Sequence, residues 1–423
     1  MADPQDAAGW RTSRPARWAW AALCAVAVFA PVALVSLFVS SSTFSGATFR
    51  PWKPRMIDLD VYRKAGEAVL TGGNPYALEG LPFLYPPFAA VVFVPLALVP
   101  PVVMQVGWVL LNAAALLGIL HHLGMRGWRL SLVACVVTWA VMPVAHTLSF
   151  GQLGTFLVYL VVRDLVPRRP APGAGEDPHP TRRHAGWLTG LATALKLSPG
   201  LFIVHLVVVG RRRAALVAIG TILLTMVIGF VVMPQAALDF WLRLVTGGDA
   251  LDGQRIFYYT NQSVSGTATR VLGNTGAVRI GALVVSAVVA VVALLAARRW
   301  HRRGEQALAI CLVGVGTLIA APASWMHHFV WIVPLAVVLW RNTAVPDWFR
   351  LGCWAWCAWV AASPFLELPT GGDTELSYST YQNLLAGIGT VAGIALLVAA
   401  LVCRPRIDAR YTAPMSTTNG DHA

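Results

Sequence analysis

The segment IGALVVSAVVAVVALLAARRWHRR, residues 280–303, decides the class of fold. Its first 18 residues carry no charge, and four of the next six are arginines. A helix needs roughly 20 apolar residues to cross a bilayer, and basic residues collect at the cytoplasmic ends of such helices. The pattern predicts a transmembrane helix at about 273–297 that ends on the cytoplasmic side.

The same pattern recurs along the whole chain of 423 residues, of which 57% are apolar and only 12% are charged. Soluble domains carry about 25% charged residues, so we exclude that class. The net charge of +13 comes from arginines in short loops between apolar runs. This distribution favours a cationic face toward anionic lipid rather than a nucleic-acid partner. We predict an all-α polytopic integral membrane protein.

The positions of the arginines predict about twelve crossings with both termini in the cytoplasm. Residues 86–100 are apolar but bounded by prolines and too short to cross, so we expect an interfacial helix there. Lys196-Leu197-Ser198-Pro199 interrupts the apolar residues 186–209, which predicts a hairpin of two short helices. The expected spans are 17–39, 102–121, 130–147, 151–163, 214–233, 273–297, 306–321, 329–340, 348–366 and 383–403, and the two short helices of the 186–209 hairpin bring the count to about twelve.

We treat residues 1–423 as one transmembrane domain. Its predicted parts outside the membrane are a first outer loop at 41–101, a flexible cytoplasmic loop at 164–185, a second outer loop at 234–272 and a disordered tail at 411–423. In this topology five unusual polar segments share the outer face, which predicts a single extracytoplasmic site. They are Asp58 with Asp60, Gly151-Gln152, the 234–272 loop, His327-His328 and residues 367–381.

Asp58 and Asp60 lie in the first outer loop, at the start of a segment with the pattern of an amphipathic helix. One interpretation is that an aspartate only caps this helix. The other is a general base, because a carboxylate that is partly desolvated at a membrane surface has a raised pKa. Two carboxylates could hold a divalent ion, but the sequence offers no third ligand, and we expect no metal or other cofactor.

Three basic side chains also have two interpretations each. His327 and His328 follow a proline and a tryptophan, as in an interfacial aromatic belt. Alternatively one of them donates to a phosphate. Lys196 lies inside an apolar segment, where a cation either extends to the interface or has an anionic partner.

The second outer loop holds Arg255-Ile256-Phe257-Tyr258-Tyr259-Thr260-Asn261-Gln262-Ser263, followed by Arg270. Aromatic rings beside amides suit sugar binding, and they equally suit a membrane-interface loop. Asn261, Gln262 and Arg270 are therefore candidates for substrate binding.

Several motifs together resemble glycosyltransferase family 87, polytopic enzymes of the GT-C type. In the first outer loop they are Asp58-Leu59-Asp60-Val61-Tyr62, Gly73-Asn74-Pro75-Tyr76 and Leu84-Tyr85-Pro86-Pro87-Phe88. The likeness continues through Gly151-Gln152, Lys196-Leu197-Ser198-Pro199, Asn261-Gln262-Ser263 and Ser324-Trp325-Met326-His327-His328. Within the family the chain is most similar to the polyprenol-phosphate-mannose-dependent α-1,2-mannosyltransferases that extend phosphatidylinositol mannosides.

The resemblance implies transfer of mannose from polyprenyl-phosphate-mannose to the 2-hydroxyl of a terminal mannose on a phosphatidylinositol mannoside. The transfer would invert the configuration on the outer face of the cytoplasmic membrane. It implies Asp58 as the base, with Asp60 as a helper or a structural acid, and His327 or His328 with Lys196 on the phosphate. The candidates for sugar hydroxyls are Tyr62, Tyr85, Gln152, Asn261 and Gln262.

Other functions stay open from the residues alone. A transporter or flippase for polyprenyl-linked sugars or glycolipids would also need broken helices and an intramembrane lysine. A structural subunit of an envelope-assembly complex would need neither chemistry nor turnover. A sister enzyme acting on lipoglycan branches, or using an arabinosyl donor, would share the same motifs.

Overall fold

The computed structural model describes residues 56–167, 185–246, 256–342 and 344–404. Over these ranges the chain forms sixteen α-helices and three short 3-10 helices, without a β-strand. The helices are α1 Ile57–Leu70, α2 Pro87–Ala97, α3 Pro101–His122, α4 Gly127–Ala140, α5 Met142–Phe150, α6 Gly154–Leu165, α7 Trp187–Leu195, α8 Gly200–Val208, α9 Arg212–Val232, α10 Pro234–Thr246, α11 Val264–Leu272, α12 Gly276–His301, α13 Gln306–Ala320, α14 Ile332–Arg341, α15 Asp347–Ala362 and α16 Thr380–Val402. The 3-10 helices are Met326–Trp331, Pro364–Glu367 and Thr374–Ser377.

The all-α prediction is confirmed for the described part of the chain. There, four helices are long and apolar enough to cross a membrane, namely α3, α9, α12 and α16. The pair α4 and α5 would make a fifth span. The first predicted span, most of the 164–185 loop and the 411–423 tail lie outside the described residues. The count of twelve crossings and the sides of the termini stay predictions.

The predicted span at 130–147 differs from the structure, because it consists of two helices bent by 76°. Helix α4 ends at Ala140, Val141 is extended, and α5 begins at Met142. Pro143 lies in the first turn of α5, where it lacks the N–H that would continue the helical hydrogen bonds. The bend turns α5 so that its C-terminal residue, Phe150, leads directly into Gly151-Gln152.

The predicted break inside 186–209 is confirmed. Helix α7 ends at Leu195, Lys196 is extended, and α8 begins at Gly200. The predicted second outer loop, by contrast, is not loop throughout, because α10 and α11 lie within it. Ser263 caps α11, since its hydroxyl accepts a hydrogen bond from the Gly266 N–H at 3.0 Å.

The described part of the predicted first outer loop contains two packed helices, α1 and α2. They approach so closely at Gly66 that a Cβ there would lie 2.4 Å from the Phe93 carbonyl oxygen. One turn earlier, the Tyr62 ring stacks on the Phe93 ring with centroids 4.5 Å apart. This packing fixes α1, and therefore Asp58 in its first turn, against the helical bundle.

Candidate active site

Asp58 is the second residue of α1, a helix that buries Leu59, Tyr62 and Ala65 along one face. The N-cap position belongs to Met56, which makes no side-chain capping bond. The interpretation of Asp58 as a capping residue is therefore wrong. Asp60 points away from the bundle, with about half of its side chain exposed, and forms an ion pair with Lys64 at 2.9 Å.

The Asp58 carboxyl group is held in a low-dielectric environment next to one amide and one cation. Burial raises its pKa from the ordinary 3.8 to about 6. A hydrogen bond from the Gln152 side chain and the positive charge of Lys196 limit this rise. Asp58 is thus ionised at neutral pH but is a stronger base than an exposed aspartate, which is the property that a general base needs.

Gln152 connects Asp58 to two tyrosines. Its Oε1 accepts hydrogen bonds from the hydroxyls of Tyr62 at 3.0 Å and Tyr85 at 3.2 Å. The two hydroxyl oxygens are themselves 2.7 Å apart. Because Oε1 already accepts these bonds, the amide NH₂ is the group that donates to Asp58. Tyr62 is fully buried, so its hydroxyl serves this network.

Gly151 brings Gln152 against α1. Its φ of +72° lies in the left-handed region, which glycine adopts without steric cost. A Cβ at this position would lie 2.5 Å from the Leu59 Cβ, so no other residue fits without displacing α1. The two residues of the Gly-Gln pair therefore have separate roles. Gly151 allows the chain to approach α1 closely, and the Gln152 amide then reaches Asp58.

Lys196 and His328 form the cationic part of the site. The break after α7 places the Lys196 Nζ 2.7 Å from the His328 Nε2, to which the ammonium donates. The same Nζ lies 5.3 Å from the centre of the Tyr85 ring, a cation–π distance. Through Tyr85 and Gln152 the pair is connected to Asp58, so carboxylate and cation share one network.

A groove leads away from Lys196 and His328, and its walls are mostly apolar. Helices α6, α8 and α13 and the 3-10 helix Met326–Trp331 supply these walls, which include Leu157, Val158, Val161, Phe202, Leu318 and Trp331. Ser198 and Ser324 also line it. A cation beside an apolar groove suits an amphiphile that has an anionic head and a hydrocarbon chain.

The two histidines have different positions. His328 lines the groove, whereas His327 is buried behind it, with the two ring centroids 4.6 Å apart. The carbonyl oxygen of His327 accepts a hydrogen bond from the Thr147 hydroxyl at 2.8 Å. His146, which the sequence analysis did not single out, is also buried, and its ring reaches His327 through Phe150. The position of His146 inside the apolar run 130–147 is the sequence feature that could have identified it as a candidate.

Asn261 and Gln262 hold the histidine segment in register. The Asn261 Oδ1 accepts the Ser324 N–H at 2.9 Å, and the Gln262 N–H donates to the Ser324 carbonyl at 2.9 Å. The Asn261 amide also donates to Ile256, and the Gln262 amide donates to Tyr259. These side chains therefore position the chain that leads into His327 and His328, rather than joining the Asp58 network.

Arg270 is likewise bound inside the protein. Only 2% of it is exposed, and its guanidinium donates to the carbonyl oxygens of Tyr258 at 3.0 Å and Asn261 at 2.8 Å. The loop between α10 and α11 is thus tied to α11 by a buried cation. Among the described residues no group of three His, Cys, Asp or Glu side chains is arranged to hold a metal ion.

The sequence model of glycosyltransferase family 87 matches residues 83–322, more than half of the chain. The protein belongs to glycosyltransferase family 87. The matched region contains Tyr85, Gln152 and Lys196, while Asp58 precedes it and the histidine pair follows it.

Curated relatives extend the likeness over most of the chain. A polyprenol-phosphate-mannose-dependent alpha-(1-2)-phosphatidylinositol mannoside mannosyltransferase of Mycolicibacterium smegmatis is 30% identical, over 79% of this chain and 82% of the relative. The protein with the same name in Mycobacterium tuberculosis is 28% identical, over 87% and 88%. A phosphatidylinositol pentamannoside mannosyltransferase of M. smegmatis is 31% identical, over 71% and 74%. No solved structure matches the chain.

Proposed function

We propose that this protein transfers mannose from polyprenyl-phosphate-mannose to the 2-hydroxyl of a terminal mannose on a phosphatidylinositol mannoside. The reaction takes place at the extracytoplasmic face of the cytoplasmic membrane. The observation that carries the proposal is the network in which Gln152 and Tyr85 join the Asp58 carboxylate to the Lys196–His328 pair. The phosphate-binding cation lines an apolar groove, and the acceptor base is joined to that cation through Gln152 and Tyr85.

Asp58 acts on the acceptor. Its carboxylate removes the proton of the attacking hydroxyl as that oxygen forms a bond to the anomeric carbon of mannose. The bond between this carbon and the phosphate oxygen breaks at the same time, and the electron pair leaves with the polyprenyl phosphate. A single displacement inverts the anomeric centre, so a β-linked donor gives an α-linked product.

Lys196 and His328 act on the leaving group. A polyprenyl phosphate gains negative charge as the glycosidic bond breaks, and a fixed cation in a low-dielectric site stabilises that charge. Lys196 is the cation, and its bond to the His328 Nε2 fixes where the ammonium points. The apolar walls of the groove suit the polyprenyl chain.

The names of the relatives support the donor and the acceptor class. Some are named for phosphatidylinositol mannoside and others for phosphatidylinositol pentamannoside. Only some of these names specify the number of mannose residues on the acceptor, so a panel of acceptors is needed to assign that number here.

The test uses purified full-length protein with polyprenyl-phosphate-mannose and phosphatidylinositol mannosides that carry one to five mannoses. Products are weighed by mass spectrometry, and their linkage is read by NMR. We expect one added hexose in an α-1,2 linkage on at least one acceptor. An arabinose donor and a lipoglycan acceptor are run in parallel. Transfer only with these, or translocation of the donor across vesicles without any transfer, would overturn the proposal.

A further inference from the structure

His205, Arg211 and His301 form a basic cluster outside the Asp58 network. His205 lies in α8, which starts beside the Lys196 break, and His301 is the last residue of α12. The next helix, α13, runs from near His301 back to the active-site groove and is about 22 Å long at 1.5 Å per residue. The cluster is therefore at the far end of α13 from Lys196 and His328, and the mechanism above does not use it.

The end of α8 explains how Arg211 comes to lie beside His205. The Gly210 N–H bonds to the Val207 carbonyl at 3.0 Å, and the Arg211 N–H bonds to the Leu206 carbonyl at 2.8 Å. Gly210 has a φ of +82°. These are the two bonds and the left-handed residue of a Schellman motif, which folds the residue after the glycine back over the last turn of the helix. Arg211 interacts electrostatically with both His205 and His301.

His205 is the feature that indicates a ligand. Only 1% of it is exposed, and among the described residues neither of its ring nitrogens has a hydrogen-bond partner. The His301 ring lies edge-on to it with centroids 5.8 Å apart, and its Nδ1 also has no partner within the described part of the protein. Buried polar groups without a partner cost free energy, and a bound ion is one of the ways in which such groups are satisfied.

The charges around the cluster favour an anion. Asp164 is the carboxylate that acts on Arg211. Its oxygens, however, already accept hydrogen bonds from the N–H groups of Gly186 and Thr189 and from the Thr189 hydroxyl. The His205 and His301 rings are neighbours, and the Arg211 guanidinium acts electrostatically on both, so the cluster combines imidazole N–H groups with a cation. Basic pockets between membrane helices bind the phosphate of lipid head groups by this chemistry.

We propose that His205, Arg211 and His301 bind a phosphate group at a second site, separate from the site of mannosyl transfer. Arg211 supplies the charge and two of the donors, in the fork geometry that matches phosphate oxygens. Each histidine donates one N–H from the surrounding helices. The phosphate is either that of a membrane phospholipid or inorganic phosphate, and both present the same oxygens.

The test measures binding to the full-length protein in detergent, without a sugar donor. One arm titrates radiolabelled inorganic phosphate, and the other titrates phosphatidylglycerol, with diacylglycerol as the phosphate-free control. Each arm is repeated with Lys196→Met, so that phosphate bound in the proposed active site is not counted. We expect saturable binding that persists in Lys196→Met. Binding of phosphatidylglycerol alone identifies a lipid head group, and binding of phosphate alone identifies the free ion.

Substitutions then locate the site. Arg211→Gln and His301→Gln should each weaken binding at least tenfold, whereas Arg213→Gln, which changes an exposed arginine two residues away, should leave it unchanged. If Arg211→Gln fails to fold, His301→Gln decides, because that side chain is only half-buried. Absence of saturable binding in both arms, or equal binding in wild type and both cluster variants, would overturn the proposal. Neither result depends on mannosyl transfer.

Discussion

The raised pKa of Asp58 predicts the pH dependence of the enzyme. The base works when it is ionised, so activity is present above the pKa and is lost as the pH falls through it. With a pKa of about 6, roughly 90% of Asp58 is ionised at pH 7 and only roughly 10% at pH 5. Mannosyl transfer should therefore fall about tenfold between these values. An aspartate at the ordinary 3.8 would stay about 94% ionised at pH 5 and show almost no loss.

The assay is kcat/KM for mannosyl transfer at constant ionic strength between pH 4.5 and 8. A phosphodiester donor does not titrate in this range. Gln152→Leu removes the hydrogen bond that lowers the Asp58 pKa, so its acidic limb should move to higher pH than that of the wild type. Asp60→Asn changes an exposed carboxylate two residues away and should leave the limb in place. A wild-type limb near pH 4, or a limb that moves with Asp60→Asn, would refute the assignment of Asp58.

Three further predictions concern the donor, the packing of α1 and metal ions. Lys196→Met should raise the Kd of polyprenyl-phosphate-mannose at least tenfold, because the phosphate loses its cation. Lys64→Met on the exposed face of α1 should leave this Kd unchanged. Equal affinities of the two variants would contradict the assignment of Lys196. Gly66→Ala should lower the free energy of unfolding by about 1–3 kcal/mol, since its Cβ meets the Phe93 carbonyl. In the control Gly107→Ala the new Cβ meets open space, so this clash is absent. Thermal unfolding compares the two variants. Transfer should survive EDTA, and a loss that Mg²⁺ or Mn²⁺ restores would show that a metal is needed.

The sequence predicted the helices best where apolar runs and prolines coincide. The break at Lys196–Pro199 and the short helix α2 follow from local rules, since proline removes a donor and the apolar run 86–100 is too short to cross a bilayer. The bend between α4 and α5 was not predicted, although Pro143 favours it by the same rule. The apolar run continues across the bend, so hydropathy indicated a single span. Hydropathy reports burial in lipid and does not report the direction of a helix.

The site was harder to predict because a polar side chain in an apolar protein can bind either a substrate or the protein itself. Asn261 and Arg270 belong to the second kind, and their partners are backbone carbonyls and N–H groups that the fold brings together. No local pattern specifies such partners. Gln152 shows the same limit, because its contact with Asp58 depends on the left-handed Gly151 packing against α1. The different positions of His327 and His328 also depend on tertiary structure.

The most direct test of the account compares Asp58→Asn with Asp60→Asn in a single turnover with saturating donor, with donor affinity measured separately. Both variants should bind polyprenyl-phosphate-mannose as the wild type does. Asp58→Asn should transfer mannose at least about a hundredfold more slowly, the usual contribution of a general base, while Asp60→Asn should stay within a few-fold of wild type. Transfer by Asp58→Asn at the wild-type rate would contradict the role of Asp58 as the base.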